Sequence, residues 1–145
     1  MLTLGGQVFA AGRSRFFDKD LGAEEGTAKI YVKIRPEGLD SPVLAQLDTG
    51  SPWSILSSEI ADVLGLLGSS GTSTRLRTRL GTKDGHLERV QLVLPADEGQ
   101  SLRIEATVFI CPDWVEGNFI GYTGFVDAIR TALDPQNNLF YFGSY

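Results

Sequence analysis

The chain has 145 residues, 42% of them hydrophobic and 21% charged, with a formal net charge of −5. That length suits one domain able to bury about two-thirds of its unfolded surface, and the acid excess excludes a phosphate backbone as the main partner. One cysteine, Cys111, excludes an intrachain disulfide and fits a reducing compartment. The start, Met1-Leu2-Thr3-Leu4-Gly5-Gly6, lacks the basic and long apolar parts of a signal peptide, and no run reaches the length of a membrane span. A soluble, cytoplasmic protein that binds neither nucleic acid nor membrane is expected.

Seventeen glycines and few helical patterns predict a turn-rich, mostly β fold. Met1 to Phe17 shows no clear period, and Asp18 to Gly26 is acidic and reads as a loop. From Thr27, Ala28, Ile30, Val32 and Ile34 alternate with Lys29, Tyr31, Lys33 and Arg35, which predicts a half-buried strand. Breakers at Pro36 to Gly38 and at Asp40 to Pro42 separate it from a second strand, Val43 to Leu47. Ser57 to Leu64 has helical spacing, with Ser57 as N-cap, Glu59 in the first turn and Gly65 at the C-terminal end.

Thr72 to Leu80 alternates again, with Arg75, Arg77 and Arg79 on one face. These arginines read as a solvated strand face; the lesser alternative sets them near a cleft, where they would favour acidic ligands. Gly81 to Gly85 has the polar, glycine-flanked make-up of a hairpin tip, with the return strand from His86 to Leu94. Asp97 to Gln100 reads as a turn, Leu102 to Ile110 as a strand, and Phe119-Ile120 as a short strand. Phe125 to Leu133 then reads as a short helix, and Leu139 to Phe142 as a last aromatic strand. A single domain over 1–145 is expected, with an irregular segment at 1–26 and a core at 27–142.

The chemistry concentrates at Asp48-Thr49-Gly50-Ser51, behind the apolar run Val43 to Leu47. The acid stands where a strand ends, Gly50 permits a tight turn, and the Thr49 and Ser51 hydroxyls can fix that turn. Such a turn is the active-site signature of an aspartic protease. Three residues match by chance in many surface turns, where an Asp is a turn or capping acid, so the surroundings must carry the assignment. Aspartic-protease chemistry needs two adjacent carboxylates sharing a proton. The motif occurs once here, so the second Asp48 would have to come from a second copy across a twofold axis.

In the order of its parts the sequence resembles the retropepsin-like aspartic proteases, chiefly the short non-viral and bacterial members, over roughly Thr27 to Phe142. A strand leads into Leu47-Asp48-Thr49-Gly50-Ser51, then Trp53-Ser54-Ile55-Leu56 and a short helix ending in Leu-Gly-Leu. A hairpin at Leu80 to Leu87 stands where the family carries its substrate-covering flap. Ile120-Gly121 matches the apolar-Gly element beside the catalytic turn, and Gly124-Phe125-Val126-Asp127 is similar to the Gly-Phe-Phe-Asp stretch of bacterial members.

The resemblance implies a closed β-barrel with one or two short helices, and a homodimeric endopeptidase that needs no cofactor or metal. It implies Asp48, Thr49 and Gly50 as catalytic residues, with the Thr49 hydroxyl reaching the partner chain. Ser51, the hairpin residues Thr82, Lys83, Asp84 and Gly85, and Ile120 would bind an extended polypeptide substrate. Two positions depart from the viral pattern: the acid four residues beyond the catalytic Asp is Pro52, and the Arg after the later Gly is Tyr122. That departure motivates the alternative of a catalytically inactive, dimeric peptide-binding module. A two-acid glycoside hydrolase would need a second acid, and none stands out for the role. His86 reads as an exposed strand residue, Cys111 as a packed small side chain, and Trp53 and Trp114 as core or cleft-wall residues.

Overall fold

The computed structural model describes residues 1–18, 29–79 and 81–145. In chain order its strands are β1 (Leu2–Leu4), β2 (Gln7–Ala10), β3 (Gly12–Arg15), β4 (Tyr31–Pro36), β5 (Val43–Leu47) and β6 (Ser54–Ile55). After the helix α1 (Ser58–Val63) come β7 (Thr72–Thr78), β8 (Gly81–Leu94), β9 (Glu98–Gly99), β10 (Leu102–Ile110) and β11 (Asn118–Ile120). A single 3-10 turn, Val126–Ala128, precedes β12 (Arg130–Asp134) and β13 (Leu139–Gly143). Thr27 and Ala28, the expected start of β4, lie outside the described residues, as do Leu80 and all but Asp18 of the expected acidic loop.

Alternation along the strands decides which face turns inward. In β10, Ile104, Ala106, Val108 and Ile110 enter the core with Val32 and Ile34 of β4, Ala45 of β5 and Leu92 and Leu94 of β8. Hydrogen bonding runs β10-β6-β11-β5-β4-β8, and β8 pairs again with β10 from Leu102↔Leu94 to Ile110↔His86. Six strands therefore close on themselves, which leaves no free edge among them. The fold is a mostly β closed barrel, as expected. Among the described residues no helix is long and apolar enough to cross a membrane.

The helix α1 obeys its sequence signals. Ser57 Oγ accepts the Ile60 N–H, and Glu59 occupies the first turn. At the other end Gly65 takes φ +72° while the Leu66 N–H reaches the Ala61 carbonyl and the Gly65 N–H that of Asp62. That doubled closure satisfies two carbonyls and stops the helix.

Four sequence expectations are corrected. The N-terminal segment is not irregular throughout: Gly5 and Gly6, at φ +58° and +79°, close the β1–β2 hairpin. β3 then enters a second sheet ordered β12-β13-β3-β9. The β3 residues Gly12 to Arg15 alternate in burial, but only Gly12 and Ser14 face inward, so hydropathy gives no signal. Within the expected turn Asp97 to Gln100, Glu98 and Gly99 pair with β3 as a short strand. Past Ala128 the expected helix Phe125 to Leu133 becomes β12, because antiparallel pairing with β13 overrides an ambiguous apolar spacing. In the hairpin, finally, Gly81 to Gly85 are paired strand residues, from Thr78↔Gly81 to Thr74↔Gly85, and not its tip.

Candidate active site

β5 carries Asp48 to one end of the barrel, and main-chain bonds hold the acid there. The Asp48 N–H donates to the Ile120 carbonyl at 2.9 Å, tying the acid to the parallel strand β11. Its carboxylate Oδ1 accepts the Gly50 N–H at 3.1 Å, and the Ser51 N–H donates to the Asp48 carbonyl at 3.1 Å. Ser51 Oγ donates to the Trp53 carbonyl at 2.8 Å and closes the turn. A Cβ at position 50 would lie 3.3 Å from Oδ1, so Gly50 leaves the carboxylate room as well as a donor. Asp48 is half-buried, and Thr49 and Gly50 are exposed. The acid is thus positioned by backbone and open on its outer side.

A second layer braces this turn. Buried Ser54 accepts the Gly121 N–H on its Oγ at 3.0 Å. A Cβ on Gly121 would stand 2.3 Å from the Trp53 carbonyl carbon and oxygen, so only glycine lets β11 pass this close. The Tyr122 N–H donates to the Ser51 carbonyl at 2.9 Å and the Thr123 N–H to the Pro52 carbonyl at 3.0 Å. Pro52 and Tyr122, the two positions that depart from the viral pattern, are therefore neighbours joined through main chain. Tyr122 is about half exposed.

The β7–β8 hairpin leans on the elements that carry the acid. Leu76 of β7 is buried with Ile55, Phe109, Cys111 and Trp114, and partly buried Trp53, Leu87 and Phe119 pack against them. Trp114 meets Phe119 edge to face at 5.8 Å, and its Nε1–H donates to the Gly117 carbonyl. Phe109 turns away from the barrel interior and is nevertheless fully buried, because the hairpin covers it. Gly85 permits that cover, since a Cβ there would meet the Ile110 carbonyl at 2.3 Å and the Phe109 ring at 2.6 Å.

Leu44, Gln46 and Asp48 share one face of β5 and its continuation, and Phe119 stands beside Gln46 in register. An open groove of about 1350 Å³ runs along that face, with Leu44, Gln46 and Phe119 in its wall and Tyr31 and Lys33 farther out. Asp48 does not line the groove. The turn supplies one carboxylate, and β5 with β11 supplies one wall of the groove.

The expected site residues divide accordingly. Asp48, Thr49, Gly50 and Ser51 form one turn. Ile120 reaches it only through its carbonyl; its side chain is 1% exposed, within the main core, so Phe119 and Asn118 are the β11 residues that line the groove. Thr82 and Asp84 are exposed on the hairpin's outer face, whereas Lys83 and Gly85 share the face of buried Leu76. Sequence reasoning missed Ser54, a small polar residue whose burial no hydropathy pattern announces, and Gln46. The period of two from Asp48 back along β5 was the available signal for Gln46.

His86 is half-buried rather than exposed. Ser69 Oγ donates to the Leu66 carbonyl and stands 2.8 Å from His86 Nε2, which pins the hairpin base to the loop after α1.

No protein-family profile matches the sequence, and no curated protein matches it. A retropepsin-like aspartic protease from Rickettsia conorii has a similar structure, with a TM-score of 0.60 and 14% identity. The similarity covers 90% of this chain and 98% of that one. The chain has the retropepsin-like fold. At this level of identity the likeness concerns the fold, and the site's chemistry must be argued from the residues themselves.

Proposed function

We propose that the chain is an aspartic endopeptidase that acts as a homodimer. The observation that carries this reading is Asp48, whose carboxylate accepts the Gly50 N–H and whose own N–H donates to the Ile120 carbonyl, in a turn with Thr49 and Gly50 exposed beside it. The retropepsin-like fold and the single Asp-Thr-Gly-Ser per chain support it further. A second copy across a twofold axis supplies the opposite wall and the second carboxylate.

Two carboxylates so close do not both ionise cheaply, so the pair holds one proton and titrates as a unit. The charged Asp48 takes a proton from a water lying between the two acids, and that water attacks the scissile carbonyl. The protonated Asp48 donates to the carbonyl oxygen, and a proton then passes to the leaving nitrogen. Thr49, exposed beside the acid, is free to contact the partner's turn. An extended polypeptide lies along the face of Leu44, Gln46 and Phe119, with the β7–β8 hairpin over it.

The test is cleavage of a diverse peptide library, read by mass spectrometry at mildly acidic and neutral pH, for wild type and Asp48→Asn. Cleavage confined to wild type, with activity rising faster than linearly at low protein concentration, is the expected result. No cleavage by folded, dimeric wild type would overturn it. The departures at Pro52 and Tyr122 would then favour the dimeric peptide-binding module.

A further inference from the structure

The hairpin carries four cations, Arg75, Arg77, Arg79 and Lys83, and the pleat sorts them. Leu76 is buried against Ile55, Phe109 and Trp114, so its side of the hairpin faces the layer that holds Asp48. Lys83 is its direct cross-strand partner, and residues directly opposite in an antiparallel pair share a face. Arg75 pairs with Asp84 and Arg77 with Thr82 on the other side, where Arg75 Nε donates to Asp84 Oδ1 at 2.8 Å with both side chains more than 70% exposed. The arginines are the solvated face. Lys83 is the inward cation.

Three observations give Lys83 a function. It is half-buried while its neighbours Thr82 and Asp84 are exposed. Its ammonium has no hydrogen bond or ion pair among the described residues. Directly across the strand pair from it stands buried Leu76, packed with Ile55, Phe109 and Trp114. The register that aims it is locked, because Gly85 lies against the Ile110 carbonyl and the Phe109 ring where no side chain fits. A one-residue slip would put a Cβ there and turn Lys83 outward.

We propose that Lys83 makes this site select polypeptides carrying an aspartate or glutamate side chain near the bond held at Asp48. The inference rests on the peptide-binding site of the reading above and names its substrate class. A substrate carboxylate beside Lys83 pairs with a cation that has no acid partner among the described residues; a lysine or arginine at the same place is repelled.

The experiment compares acidic, neutral and basic residues at each position of a peptide library for wild type, Lys83→Glu and Arg77→Glu. Wild type prefers an acid at one position within a few residues of the cut by about tenfold, Lys83→Glu reverses that preference at the same position, and Arg77→Glu preserves it. The same preference appears as tighter binding of acidic peptides to Asp48→Asn, so the inference is read independently of catalysis. Cleavage or binding with the same profile in wild type and Lys83→Glu would overturn the inference alone. An equal shift in Arg77→Glu would also overturn it, by making the effect one of net charge. Failure to bind any peptide would overturn both readings.

Discussion

Gly121→Ala tests whether main-chain packing behind the turn sets the position of Asp48. Gly121 is not among the residues of positive φ, so alanine meets no backbone penalty and the whole effect is steric. The added Cβ would stand 2.3 Å from the Trp53 carbonyl carbon and oxygen and 2.8 Å from the Ser54 nitrogen. All three are backbone atoms of the segment braced by the turn, so no rotamer change relieves them. Restoring ordinary contact needs a shift of roughly 1 Å, which stretches the Gly121–Ser54 hydrogen bond at 3.0 Å and the Tyr122–Ser51 bond at 2.9 Å. Overpacking and one weakened buried bond together cost about 2–4 kcal/mol. Urea unfolding followed by the fluorescence of Trp53 and Trp114 reads that loss. Because Ile120 moves with Gly121, the Asp48 N–H loses its acceptor and cleavage falls by more than the folded fraction does. Gly117→Ala, which meets nothing within 4 Å, is the neutral control. A loss under about 1 kcal/mol with cleavage intact would refute the argument.

Leu76→Ala removes the one buried side chain of β7 and costs about 2–3 kcal/mol of docking. Hydrogen exchange in β7 should accelerate before the barrel unfolds, and equal protection in both proteins would count against docking through Leu76. Asp97 joins the two sheets, accepting from Lys33 Nζ of β4 and from the Arg15 N–H of β3 at 2.7 Å. The Lys33 hydrogen bond, more than any other contact, holds its carboxyl below the ordinary value of 3.8. Its contribution is therefore complete above that value and is lost as pH falls through the lower folded value. Asp97→Asn should be less stable than wild type at pH 6, with the gap closing toward pH ~2 in urea titrations. A constant gap across that range would assign the effect to packing.

What the sequence discloses here is what a local period or a local bond can encode. β5 and β10 were legible residue for residue because each has one face in the barrel interior. α1 was legible because its cap and its terminal glycine lie within a few positions of the helix they bound. β3 and β12 were hidden for the opposite reason. β3 buries Gly12 and Ser14, and β12 has an apolar spacing that suits a helix equally well; long-range pairing with β13 decides both. The hairpin tip was misplaced because Gly81 to Gly85 looks like turn composition, although Gly85 is a glycine for lack of space and not for its φ. Asp48 could be found from its motif. Ser54, Phe119 and the inward face of Lys83 depend on which strands meet, and no local pattern records that.

The same distinction bears on Pro52 and Tyr122. A charged pair at those positions would join the two turns through side chains, and losing one member would leave a buried charge unpaired. Here the join is main chain: the Tyr122 and Thr123 N–H groups donate to the carbonyls of Ser51 and Pro52. The Tyr122 carbonyl in turn accepts the Asp127 N–H at 3.1 Å, and the Gly124 N–H donates to Asp127 Oδ1 at 2.8 Å. Such bonds are indifferent to side-chain identity, except that positions 50 and 121 must stay small. An ion pair can therefore be absent while the carboxylate keeps its place, and its absence frees the Tyr122 ring as exposed surface beside the acid. The steric and hydrogen-bond constraint on this site falls on its glycines and on Ser54, and not on the side chains that project from the turns.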